Sequence, residues 1–81
     1  MDYLSNNVAV NLKRFRQYSG MSLDQMAERT EVSKSMLAQI ERGQANPSIG
    51  VLCKITVGLQ IEFEDLIQTP KVTDSPEGST P

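Results

Sequence analysis

The chain has 81 residues, which suits one domain, and a net charge of −2. A domain this small buries only about 60–65% of the surface its unfolded chain exposes, so 38% hydrophobic residues permit a thin core and nothing larger. One cysteine and no histidine exclude an internal disulfide and the His/Cys spacing of a metal site, and a reducing compartment fits best. No apolar run reaches the roughly 18 residues of a membrane span, and no basic-then-apolar leader opens the chain. A cytoplasmic location is expected. Charge is unevenly spread. From Asn11 to Lys54 seven basic residues face four acids, whereas from Ile55 onward five acids face only Lys71. The basic stretch could meet phosphates while the acidic end faces away, although a mixed solvated surface reads the same.

Apolar spacing is helical throughout, and no stretch alternates like a strand. Residues 1 to about 6 are expected to be loose. A first helix is expected from Asn7 to Tyr18, with Val8, Leu12 and Phe15 on one stripe, Tyr18 packing at its end and Gly20 beyond it. A second begins at Ser22, where Ser22 and Gln25 match a capping box. Leu23, Met26, Ala27 and Thr30 share its inner face; Asp24, Gln25, Glu28 and Arg29 point to water. A link Glu31-Val32-Ser33 follows, with Val32 as an apolar plug and Ser33 as the next N-cap. The third helix ends at Arg42, before Gly43. Met36, Leu37 and Ile40 form its inner face. Its outer face is Lys34, Ser35, Ala38, Gln39 and Arg42. Ser48, after Pro47, caps a fourth helix with a buried stripe of Ile49, Leu52, Ile55 and Leu59. A short fifth helix sets Phe63, Leu66 and Ile67 against the core. Residues 69–81 hold three prolines, a glycine and five Ser/Thr; they read as a flexible tail or interdomain linker. The domain proper is therefore 1–68.

Two short serine-capped helices joined by a three-residue link outline a helix-turn-helix. The outer face of the third helix sharpens this. Solvated helices usually mix Glu with Lys, yet this face has no acid. Gln39 can bond adenine N6 and N7 together, Lys34 can donate to guanine O6 or N7, and serine suits several base edges. Small Ser35 and Ala38 would let the helix approach the groove floor.

The run from Ser33 to Gly43, followed by Ala45-Asn46-Pro47-Ser48, closely resembles the phage-repressor/Cro-like helix-turn-helix transcriptional regulators. Leu12-Lys13-Arg14-Phe15-Arg16 and Gly20 to Ala27 fit as well, so the resemblance spans residues 8–67. It implies an all-α, five-helix fold of the lambda-repressor type. It also implies sequence-specific binding of a double-stranded DNA operator, with repression where the operator overlaps a promoter. Position by position, Ser33, Lys34, Ser35 and Gln39 sit where the family reads bases. Arg42, Gln44, Asn46 and Ser48 sit where it contacts phosphates. Arg16 and Glu41 occupy positions that pair and brace. Many members carry Gln where this chain has Leu23, so the second helix is left with its N-terminal amides and Ser22 for phosphate contact. Members bind as homodimers to half-sites about one helical turn apart, which here would pair through the fourth and fifth helices or a further domain. Within the family the chain looks most like members with a C-terminal cupin domain. A small-molecule effector would then act only through such a domain, absent from these residues. The chain is expected to be a small whole protein or an N-terminal domain.

The rival reading is a protein-interaction helix-turn-helix, as in an antitoxin or a bridging transcription factor. Such a surface should expose more apolar residues than Lys34, Gln39 and Arg42 provide. An enzyme would need a nucleophile–base pair or a metal set, and none is legible. No cofactor is implied. Cys53 reads as a small packed or half-exposed residue with no second thiol to resolve a redox role. Met21, Met26 and Met36 read as core, and Glu62, Glu64 and Asp65 as first-turn helix charge.

Overall fold

The computed structural model describes residues 3–70. Among them the regular elements are all helices: α1 (Tyr3–Ser19), α2 (Leu23–Thr30), α3 (Lys34–Glu41), α4 (Ile49–Leu59) and α5 (Phe63–Ile67). The tail expected over 69–81 lies, from residue 71 on, outside the described residues.

Three of the four interhelical junctions end on a serine whose oxygen satisfies an otherwise unpaired amide. Ser22 Oγ accepts from the Gln25 N–H at 3.1 Å, and Gln25 Oε1 accepts in return from the Ser22 N–H at 2.9 Å. Ser33 Oγ accepts from the Met36 N–H at 3.1 Å and Ser48 Oγ from the Val51 N–H at 3.2 Å. Each such cap is worth about 1 kcal/mol. The turn between α2 and α3 is closed without a glycine: Glu31 takes φ 61°, the left-handed region, and its N–H donates to the Ala27 carbonyl. Val32 then drops into the core between the two helices.

That core is one cluster. Val8 and Leu12 enter it from α1, Met26 from α2, Leu37 and Ile40 from α3, Leu52, Ile55 and Leu59 from α4, and Leu66 from α5. Phe15, Met21, Met36, Phe63 and Ile67 pack around it, partly buried. α1 supports both α3 and α5, while α4 lies on α2 and α5. The side-chain amides of Asn7 and Asn11 donate to the carbonyls of Ile67 (3.1 Å), Leu66 and Gln68 (both 2.8 Å). These are the carbonyls that the end of a short helix leaves unpaired.

Three expectations are corrected. α1 begins at Tyr3, so residues 3–6 are helical. Ser5 is buried and its hydroxyl donates to Asn46 Oδ1 in the loop after α3. A polar inward residue leaves no apolar periodicity to read, and its partner stands 41 positions away. Ile49 is 63% exposed, and Thr56 joins the buried face of α4 instead. Ile49 holds the first position of α4, one turn ahead of Leu52, which does enter the core. Tyr18 is 83% exposed. It lies six residues beyond Leu12, about 240° around the helix. Arg16, four residues on, takes the inward position.

Candidate nucleic-acid interface

α3 has two faces of different character. Leu37 and Ile40 are fully buried and fix the helix to the core. Lys34, Ser35 and Gln39 are exposed along the other side, Ala38 is half-exposed between them, and Arg42 continues the row as the C-cap. α3 closes tightly. Gly43, at φ 72°, donates its N–H to the Ile40 carbonyl at 3.0 Å, and the Gln44 N–H reaches the Gln39 carbonyl at 2.9 Å. Glycine adopts this left-handed turn without a Cβ penalty. The turn sends the chain into the loop that carries Gln44 and Asn46.

The side chains of the interface are braced against one another to different degrees. Arg42 Nε donates to Gln44 Oε1 at 3.1 Å, which leaves the two terminal guanidinium nitrogens to donate outward. Asn46 is held through its Oδ1 by Ser5, and its amide donors remain. Ser22, Ser33 and Ser48 each use the hydroxyl oxygen as a cap acceptor, so each still has its O–H to donate. Among the described residues, the side chains of Ser35 and Gln39 point outward and are exposed.

Two ion pairs frame α3. At its C-terminal end, Arg16 Nε donates to Glu41 Oε2 at 2.7 Å and Nη2 to Oε1 at 3.0 Å, a two-pronged pair. Arg16 Nη1 also reaches the Met21 carbonyl at 3.2 Å. The side chains are 20% and 6% exposed. Donation to the Glu41 carboxylate raises the Arg16 pKa above its usual value, against the opposing effect of burial. The pair binds α3 to α1 and to the start of the loop before α2. At the other end, Lys34 Nζ stands 3.3 Å from Asp24 Oδ1, with side chains 59% and 75% exposed. Sequence reasoning missed this second pair. The two residues lie on different helices, and neither a helical repeat nor a motif joins them. Likewise, no local signal in the sequence marks Ser5 as the anchor of Asn46.

Remaining candidates fall outside the interface. Cys53 is exposed on α4. The Asp65 carboxylate accepts from the Glu62 N–H at 3.1 Å, closing the first turn of α5. No helix among the described residues is long and apolar enough to cross a membrane.

Five helices, with a serine-capped pair joined by a tight turn and the second of that pair presenting polar side chains outward, define a helix-turn-helix domain. The helix-turn-helix profile HTH_3 matches residues 12–66, and the chain belongs to that family. It is 42% identical over 71 residues to the HTH-type transcriptional regulator SutR of Escherichia coli (strain K12), a match covering 88% of this chain and 40% of that protein. It is 35% identical over 68 residues to the HTH-type transcriptional regulator SinR of Bacillus subtilis (strain 168), covering 83% of this chain and 61% of SinR. A crystal structure of an HTH_3 family transcriptional regulator from Vibrio cholerae superposes with a TM-score of 0.75 at 44% identity, over 78% of this chain and 35% of that one. The chain thus spans about two fifths of the length of SutR.

Proposed function

We propose that this chain is the DNA-reading domain of a transcriptional regulator, with α3 lying in the major groove of a double-stranded operator. One observation carries the reading. The exposed face of α3 offers hydrogen-bond donors at Lys34, Ser35, Gln39 and Arg42, and its opposite face is locked by Leu37 and Ile40. A reading helix must be both rigid and donor-rich, because base edges are told apart by short, directed hydrogen bonds. Ser33, Lys34, Ser35 and Gln39 read bases. Arg42, Gln44, Asn46, Ser48 and Ser22 grip phosphates, which sets register and affinity. Arg16 and Glu41 brace α3 and touch no base. Two copies bind a pseudo-symmetric site, with half-sites about one helical turn apart. Where that site overlaps a promoter, binding represses.

The test is a titration of labelled duplexes, selected from a random pool, at rising salt. Binding should weaken steeply, with log K against log salt falling by about 0.9 for every phosphate neutralised. A flat salt response, or equal affinity for selected and scrambled duplexes, refutes the reading and favours a protein partner.

A further inference from the structure

The Asp24–Lys34 pair joins the first turn of α2 to the first turn of α3. In a helix-turn-helix the N-terminal residues of the reading helix contact base edges. A carboxylate there is unexpected, since it lies close to a polyanion. A lysine there has a different difficulty. Its flexible stem and compact charge suit any phosphate within reach as well as a base edge, and a phosphate contact carries no sequence information. The pair resolves both. The lysine charge offsets the carboxylate, and the carboxylate occupies the ammonium on the side of α2, 3.3 Å away.

We infer that Asp24 is a specificity-determining positioning residue: it holds Lys34 to base edges and keeps it off the phosphate backbone. This rests on the reading of α3 as the DNA-reading helix. A neutralised ammonium releases few counterions, so Lys34 adds little to salt-dependent, sequence-blind affinity. Two of its three N–H donors stay available for guanine O6 or N7. Substituting Asp24→Asn removes the acceptor charge and frees Lys34 for the nearest phosphate. The substitution therefore strengthens non-specific binding while weakening discrimination. Replacing Glu28, an exposed acid one turn further along α2, removes the same charge without touching Lys34.

The experiment uses the full 81-residue chain and its Asp24→Asn, Lys34→Met and Glu28→Gln variants. Each is put through selection from a random duplex pool, then titrated on the wild-type consensus and a scrambled duplex over a range of salt. Asp24→Asn should bind the scrambled duplex about two- to fivefold tighter, as expected for release of one exposed ion pair. Its salt slope should steepen by about 0.9, the value of one added phosphate contact. Its base preference should relax at the same position where Lys34→Met relaxes. Glu28→Gln should keep the wild-type preference. If Asp24→Asn selects the wild-type consensus with an unchanged ratio of specific to scrambled affinity, the inference is overturned while the DNA-reading function stands. Equal behaviour of Asp24→Asn and Glu28→Gln overturns it too, because general charge removal then suffices. If the wild-type chain selects no sequence, the functional reading itself fails and the inference falls with it.

Discussion

Two glycines in α4 should respond in opposite directions to the same substitution. A Cβ at Gly58 would stand 2.7 Å from Thr30 Cα and 2.9 Å from the Arg29 carbonyl carbon, with the Arg29 carbonyl oxygen closer still. All three are backbone atoms of α2, so no side chain can swing aside. The two helices must separate. Overpacking typically costs about 1–3 kcal/mol, and a backbone-on-backbone clash belongs at the upper end. Against this, alanine gains about 1 kcal/mol over glycine within a helix. Gly58→Ala should therefore destabilise by about 2 kcal/mol, which for a domain this size lowers Tm by roughly 8–16 °C. At Gly50, by contrast, the nearest atom to a new Cβ is Ser48 Oγ at 3.8 Å. Gly50→Ala should stabilise by about 0.5–1 kcal/mol. Thermal and urea unfolding followed by helical circular dichroism measures both. A Gly58→Ala chain as stable as wild type would refute the close seating of α4 on α2, since nothing else in the helix could absorb a methyl group there.

Three other outcomes follow from the same structure. Glu41→Ala strands the Arg16 guanidinium, which is only 20% exposed, and should cost about 2–4 kcal/mol, somewhat below the loss for a fully buried pair; the double substitution Arg16→Met with Glu41→Leu should recover most of it in chemical denaturation. Glu31→Gly should raise stability by about 0.5–1 kcal/mol, because glycine takes the φ of 61° at that position without the strain an L side chain incurs; a lower urea midpoint would show that Glu31 contributes something beyond its backbone. Gln39→Ala should weaken the selected duplex by about 1–3 kcal/mol and relax one base pair, whereas Arg42→Ala should weaken all duplexes alike and lower the salt slope by about 1. Wild-type preference in Gln39→Ala across a randomised site would remove Gln39 from the reading set.

What could be read directly from the sequence had local causes. The serine caps at 22, 33 and 48 act over three residues, so chemistry and spacing stand side by side in the chain. Leu12, Met26, Leu37 and Leu52 declare themselves because burial repeats with the helical turn. Ser5 does not, since its burial depends on Asn46 across the fold, and a serine carries no apolar signal. Asp24 and Lys34 meet only because the turn at Glu31 folds α3 back beside α2. Ile49 carries the right spacing but, at the first position of α4, stays exposed. Tyr18 is a large apolar residue with no inward position to fill. For Ser5, Asp24 and Lys34 the deciding partner lies across the fold, and residue spacing does not contain it.

The two ion pairs on α3 also differ in how they meet the surrounding electrolyte. Glu41 is almost dry, and mobile ions screen such a pair far less than one at the surface, where the Debye length is about 8 Å at physiological ionic strength. The anchoring of α3 to α1 should thus persist at salt concentrations that strip the domain from a polyanion. The Lys34–Asp24 contact faces solvent and will loosen in the same range. As ionic strength rises, the helix would keep its aim while the lysine at its tip loses its tether. Fidelity of sequence choice, and not only grip, would then vary with the salt in which the domain operates.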